Sequence, residues 1–252
     1  MIINSVDRAL DIIILLYEEE KEMGVSDIAD RLNTYKSTIH RTLVTLEGKG
    51  FVKKNPDTEK YWLGMKLHAI GMLINNNLPI KKIIKPYCDE LHRKFGEVVN
   101  ASVLDKSDKD HLKGHIIYKA YDSTQLLIVN PPEGAGSPCY GSSVGKCLLA
   151  FNHIDFEKYK DVKLMKYTDK TIDNWDELID KLKEIREKGY AIDDEELEVG
   201  LTCIGAPVLD KNNRAIAAIS LSGPTQRMRA GDFEEKIRAV VETAQEISKQ
   251  FR

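Results

Sequence analysis

KSTIHRTLVTLEGKGF, residues 36–51, is the stretch on which the reading of this chain turns. Ile39, Leu43 and Leu46 recur at i, i+4 and i+7, which places one apolar face on a helix, and Gly48 and Gly50 stop it. The other face carries Lys36, Ser37, Thr38, His40, Arg41, Thr42 and Thr45. A face that merely meets water would use Glu, Lys, Gln and Ala, because Ser, Thr and His are weaker helix formers. These short hydroxyls, with an Arg and a His, therefore need an external partner to explain them.

Upstream, Val6, Leu10, Ile13, Ile14 and Tyr17 follow a helical period, with Asn4 or Ser5 placed to cap it, and Met23-Gly24 breaks it. VSDIADRLN predicts a shorter second helix, capped by Ser26 and burying Ile28, Ala29 and Leu32. Asn33-Thr34 makes a tight turn into the quoted helix, with Thr34 as its cap. Downstream, FVKKNPDTEKYWL alternates like two strands around Asn-Pro-Asp-Thr. Three helices, the last two joined by a short turn, followed by a hairpin predict a winged helix-turn-helix.

The charge distribution agrees with that reading. Residues 1–30 hold two Lys/Arg against eight Asp/Glu, a net of −6, whereas residues 31–60 hold seven against three, a net of +4. The polar groups of the second motif helix are those that bond phosphates and base edges in the major groove. Lys36, Ser37, Thr38, Arg41 and Thr42 lie on its N-terminal half, and Arg41 is the best base or phosphate reader. Ser37 and Thr38 serve equally well as caps, and His40 and Thr45 flank the groove. Lys53, Lys54 and Lys60 in the wing suit phosphate contact or a solvated hairpin.

The pattern changes after residue 63. Residues 64–77 predict a helix that ends in an asparagine run before Pro79, where Leu67, Ile70, Leu73 and Ile74 form a stripe for a second copy or for strands of the same chain. A helix over 80–95, interrupted near Pro86, precedes the strand-like runs VVNASVLD, HIIYKAYD, QLLIVN, AID, TCIGAPV and AIAAISLS. Helices are expected over 144–151, 175–188 and 232–251. Strands and helices in runs predict an antiparallel α+β domain. The organisation is thus a DNA-binding domain over 1–63, a linker helix over 64–78 and a sensor domain over 79–252.

The 252 residues, 42% hydrophobic and 31% charged with a net charge of −3, suit a soluble two-domain protein. No apolar run reaches the ~18–20 residues of a membrane span, so no membrane partner is expected. The N-terminal apolar run contains an Asp and an Arg and no small-residue cleavage site, which predicts no signal peptide. Cys88, Cys139, Cys147 and Cys203 form no C-x-x-C pair, as expected of free thiols in a reducing cytoplasm.

A second constellation places polar residues among apolar ones. Ser142-Ser143-Val144-Gly145 opens a helix, whose free N–H groups favour an anion. Asp193 ends a strand, Cys203 lies inside TCIGAPV, and Ser220 and Ser222 alternate on AIAAISLS, pointing to one face. The paired serines on a core strand point to a ligand or water; the rival reading is small residues packed between sheet and helix.

With these pieces in view, the chain resembles the IclR family of transcription regulators. SVDRALDIIILL, VSDIADRLNTYKSTIHRTLVTLEGKGFV, YWLG, GSSVGKCLLA, REKGYAIDDEELEVGLTCIGAPV and AIAAISLSGP occur in the family's order, from Ser5 nearly to the end. The resemblance implies a GAF-like C-terminal domain binding a small carboxylate such as a keto, sugar or aromatic acid. It also implies a double-stranded DNA operator, a homodimer or dimer of dimers, and no cofactor, metal or catalytic residue. By resemblance the effector pocket uses the segment Ser142, Ser143, Val144 and Gly145 with Asp193, Cys203, Ser220 and Ser222. Tyr140, Ser143 and Thr202 depart from the family's common His, small Gly or Ala, and Arg, so Ser143 is expected to add a hydroxyl at the pocket mouth.

Four rival readings fare worse. G-S-S-V-G at 141–145 matches a hydrolase nucleophile elbow, but the only later His is His153, with no Asp or Glu between it and Ser143. The same stretch fails as a phosphate-binding loop. Asp110, His111 and His115 suggest a metal site, yet Gly114 and the charged context read as a solvated turn. A metabolite sensor without DNA function is opposed by the +4 segment.

Overall fold

Ile12, Leu16, Ile28, Ile39 and Leu43 are fully buried together, and this cluster organises the first of two compact units, Met1–Leu78 and Pro79–Arg252. The computed structural model describes residues 3–106, 112–124, 131 and 133–252. The first unit comprises α1 (Asn4–Glu19), α2 (Val25–Arg31), α3 (Lys36–Gly48), β1 (Val52–Lys54), β2 (Tyr61–Leu63) and α4 (Met65–Asn76). Ile39, Leu43 and Leu46 are the buried residues of α3, as their spacing predicts. Asn33 takes a left-handed φ of 47° in the turn between α2 and α3.

The expected caps are corrected. Ile3 precedes α1 without a side-chain cap, so Asn4 and Ser5 lie inside the helix. Ser26 lies inside the first turn of α2, where the Gly24 N–H instead donates to the Asp27 carboxylate at 3.2 Å. Tyr35, not Thr34, occupies the N-cap position of α3. Thr34 therefore sits one residue too early to reach the free amides, and its hydroxyl turns back to the Leu32 carbonyl at 3.1 Å.

In the wing, Val52 pairs with Leu63 and Lys54 with Tyr61. Asn55 Oδ1 shapes the turn by accepting from the amides of Asp57 at 3.0 Å and Thr58 at 3.4 Å. Gly64 then lets the chain pass against itself: a Cβ there would lie 2.2 Å from the Gly50 carbonyl oxygen. The Gly64 amide donates to Phe51 O at 2.8 Å and the Lys66 amide to Gly50 O at 3.2 Å. No residue of α4 is buried; Leu73 and Ile74 are 66% and 59% exposed.

The second unit contains α5 (Pro79–Phe95), β3 (Val98–Asp105), β4 (Lys113–Ala120), β5 (Gly136–Pro138), α6 (Ser143–Ala150), α7 (Trp175–Lys188), β6 (Ala191–Asp194), β7 (Leu201–Leu209), β8 (Ala215–Pro224), α8 (Thr225–Arg229) and α9 (Phe233–Ser248). The expected break in α5 is absent: the helix runs through Pro86, with Ile84 on one side of it and Cys88 and Leu91 on the other all buried. One sheet has the order β5-β4-β3-β8-β7-β6, and every pairing is antiparallel. The fold class is therefore α+β as predicted. The run QLLIVN lies outside the described residues. α6 and α7 pack on each other over one face of the sheet, and α5 and α9 over the other. Asn174 caps α7 by accepting from the Glu177 amide at 2.8 Å, and Gly189 ends it at a φ of 78°.

Candidate functional site

The predicted recognition face is on the surface of the first unit. Lys36, Ser37, His40, Arg41 and Thr45 are exposed, and Thr38 and Thr42 are half-buried. Two of the hydroxyls have intrahelical partners: Thr42 donates to Thr38 O and Thr45 to Arg41 O, both at 3.0 Å. Those side chains keep a methyl and an acceptor oxygen for an outside partner. Among the described residues, the side chains of Ser37, Thr38, His40 and Arg41 make no hydrogen bond. In the wing, Lys53 is exposed, whereas Lys54 pairs with Glu59.

Two further residues border this face. A groove between α1 and α3 brings Ser5 and Arg8 beside Thr38, Arg41, Thr42 and Thr45. Tyr35 is 84% exposed immediately before α3. Arg8 is the one base in the acidic opening of α1, and Tyr35 is an aromatic at a helix start; both signals are visible in the sequence, but only the fold puts Arg8 beside Arg41.

In the second unit, the sheet face beneath α6 is polar. Antiparallel partners point to the same side, and Asp193 pairs with Cys203, Cys203 with Ser222, Gly205 with Ser220, and Ser220 with Asn100. Ser220 and Ser222 share a hydrogen bond at 3.1 Å. Cys203 contacts both Ser222 and Asp193, and burial pushes its thiol up. Asp193 Oδ1 accepts from the Glu196 amide at 2.8 Å. Burial drives the Asp193 carboxyl up to about 7, against the pull of that amide and of Lys146.

The opening of α6 lies directly above. A Cβ on Gly205 would come within 2.8 Å of the Ser143 backbone. Ser143, expected at a pocket mouth, is 1% exposed and packs against β7 instead. Ser142 is the N-cap: its Oγ accepts from the Gly145 amide at 3.1 Å and donates to Pro138 O at 3.4 Å. Gly145 permits close packing, since a Cβ there would sit 2.3 Å from Cys139 Cα. Val144 is buried. The amides of Ser143 and Val144 are thus the ones left at this helix start for an anion.

Four residues of this region escaped the sequence reading. Lys146 is wholly buried, pairs with Glu196 and donates to Ile192 O at 2.8 Å. Burial pushes the Glu196 carboxyl up, and the Lys146 charge opposes it. Asn100 and Ser102 point to the same face from β3. They alternate in VVNASVLD as Ser220 and Ser222 do in AIAAISLS, so the same two-residue period marks them.

His115, from the rejected metal reading, contacts Gly134 O at 3.2 Å and Asp105 at 3.3 Å, while Asp110 and His111 lie outside the described residues. Among the described residues no group of three His, Cys, Asp or Glu could hold a metal, and no helix is long and apolar enough to cross a membrane.

Comparison with known proteins places both units. Residues 5–56 match the IclR helix-turn-helix domain and residues 72–249 match the bacterial transcriptional regulator IclR C-terminal family. The Escherichia coli K12 HTH-type transcriptional regulator XynR is 32% identical over 248 residues, covering 94% of this chain and 93% of its own. The crystal structure of the Thermotoga maritima IclR is similar at a TM-score of 0.65 and 30% identity, covering 98% of each chain. An IclR homolog from Microbacterium hydrocarbonoxydans complexed with 4-hydroxybenzoate shares the fold at a TM-score of 0.73 and 21% identity, over 97% of this chain and 99% of its own.

Proposed function

The chain belongs to the IclR family of DNA-binding transcriptional regulators, and from that premise we propose that it grips a pseudo-palindromic operator as a homodimer, under the control of a small organic acid. The observation that carries the DNA reading is the exposed polar face of α3, backed by the fully buried Ile39 and Leu43. Arg41 reads a base or phosphate. Ser37, Thr38 and Lys36 contact the same groove, Thr42, Thr45 and His40 line its flank, and Lys53 and Lys54 hold the backbone from the wing. Arg8 and Tyr35 extend this surface.

α4 serves as linker and dimer contact. Its exposed Ile70, Leu73 and Ile74 supply the stripe, and two such chains present two recognition helices to a twofold operator. Pairing of two dimers would give the tetramer. The protein acts in the cytoplasm as a regulator without catalytic residues.

The effector binds the polar sheet face, with its carboxylate at the Ser143 and Val144 amides and its other oxygens at Ser220 and Ser222. Cys203 closes the wall, and Asp193, which would repel an anion, faces a hydroxyl or water. The 4-hydroxybenzoate bound by a relative of the same fold supports an acid ligand. Control requires the acid to prefer one arrangement of the dimer, since equal affinity for both shifts nothing.

Gel-shift titration and footprinting on a selected operator test the first half. Twofold protection by a dimer is expected, and an asymmetric single half-site bound by a monomer refutes it. Thermal shift against keto, sugar and aromatic acids tests the second. Stabilisation should disappear in the Ser220→Ala/Ser222→Ala double variant, and its survival there would move the pocket elsewhere.

A further inference from the structure

Resting on that effector reading, we infer that β3 forms a second wall of the ligand site, where Asn100 and Ser102 bond hydroxyl groups of the effector, so that the ligand is a polyhydroxy acid and not a bare keto acid. Among the described residues three buried side-chain polar atoms have no hydrogen-bond partner: Asn100 Oδ1, Ser102 Oγ and Glu196 Oε2. Their residues are 6%, 1% and 8% exposed. A buried polar atom left unsatisfied keeps the full penalty of its lost hydration, so three in one domain call for an explanation.

All three gather round one surface. Asn100 stands opposite Ser220, and Ser102 opposite Ala218, in the row beneath α6. Glu196 follows Asp193 at the far edge of the same face, held there by Lys146 and by its own amide on Asp193. The ladder from β3 through β8 and β7 to β6 spans three strand spacings, roughly 14 Å.

The chemistry of the atoms selects the ligand. Asn100 Oδ1 can only accept, and an ionised Glu196 Oε2 is likewise an acceptor only. Each needs a donor brought by the guest. A carboxylate and a ketone bring none, so a simple keto acid would leave both atoms as they are. Hydroxyls donate and accept, which suits Ser102 as well. An acid with one hydroxyl reaches one edge of the face, whereas a chain of hydroxyls reaches Asn100 and Glu196 together. The carboxylate then remains for the α6 amides, which only donate.

The test uses the full chain and matched acids: gluconate against hexanoate, and glycerate against propionate and pyruvate, each followed by thermal shift and calorimetric titration. Gluconate should bind at least tenfold more tightly than hexanoate, with glycerate above propionate and pyruvate. Asn100→Leu and Ser102→Ala, made separately so that one misfolding variant does not decide the matter, should each weaken gluconate at least tenfold. Both should melt no lower than wild type without ligand, because each removes an unsatisfied atom. A variant that melts lower without ligand marks its residue as a structural strut and overturns its role here. If hydroxylated and plain acids bind alike and both variants bind as wild type does, the β3 wall falls while the effector site at Ser220 and Ser222 stands. If no acid binds, or binding survives in Ser220→Ala/Ser222→Ala, both readings fall.

Discussion

In the N-terminal unit, Ser37, His40 and Arg41 stand in water on a helix anchored by Ile39 and Leu43. In the C-terminal unit, Ser143, Ser220 and Ser222 stand on surfaces from which water is nearly excluded, at 1%, 3% and 2% exposure. The residue types overlap, but the cost of keeping them differs. An exposed hydroxyl is already hydrated and loses little without a partner, so it can wait for a large, charged, flat-sided ligand such as a duplex. A buried hydroxyl needs its partners inside the fold or delivered by a guest small enough to enter. The setting of a polar group thus indicates the size of what it meets.

The largest effect that could break this contrast is at Lys146. Replacing it with Met strands the Glu196 carboxylate in the interior, and removing one partner of a buried pair costs about 3–5 kcal/mol. Lys146→Met should therefore unfold at much lower urea, the double variant Lys146→Met/Glu196→Gln should recover most of the loss, and Lys53→Met, on the exposed wing, should leave the midpoint where it was. Equal midpoints for Lys146→Met and Lys53→Met would erase the distinction.

Next comes Arg41→Ala. Loss of a base-reading Arg should weaken operator binding by about 1–3 kcal/mol and relax specificity at its base pair. Since Arg41 lies on the outer side of α3, the urea midpoint should not move. Unaltered affinity in a gel-shift titration would remove Arg41 from the interface.

The Asp193 carboxyl gives a pH-dependent version of the contrast. Its usual value of 3.8 is pushed up to about 7 by burial, so the fold holds the proton more tightly than the unfolded chain does. The stability this contributes is complete below about pH 4 and is lost as pH rises through about 7. Asp193→Asn removes the ionisation and keeps an oxygen for the Glu196 amide. Thermal melts should show the variant gaining on wild type as pH rises from 5 to 8, with Lys146, Glu196 and Cys203 as the neighbouring titratable groups. A gap that is constant with pH would mean that Asp193 does not ionise in that interval.

The smallest expected effect is on the wing. Operator affinity should fall as salt rises, and Lys53→Ala should reduce the slope of log affinity against log salt by about one unit. A slope identical to wild type would leave Lys53 as a solvated side chain.

Much of this was readable before the fold was known, for reasons that differ by element. The apolar stripe of α3 and the alternation of β7 and β8 repeat often enough for their periods to show, and α7 runs from Trp175 to Lys188 as predicted because Asn174 and Gly189 mark both its ends. β5 and α8, at three and five residues, are too short to show a period. The caps at Ser5, Ser26 and Thr34 failed because a cap depends on which residue begins the first turn, and a shift of one position reassigns it. Lys146 was the hardest to read. A lysine on a helix looks like surface until Glu196, 50 residues later in the chain, is folded against it. Asn100 and Ser102 carried the same alternation as Ser220 and Ser222, but the sequence does not show which strand lies next to β8.

The crossing at Gly64 has a mechanical consequence. With the Gly64 and Lys66 amides bonded to Phe51 and Gly50, and no room at Gly64 for even a methyl group, the start of α4 is clasped to the residues that end α3. A joint of that kind has almost no play. A turn imposed at the start of α4 therefore meets the residues that follow α3 directly and not a loose connector, and the exposed Ile70, Leu73 and Ile74 are the side chains by which such a turn could be applied.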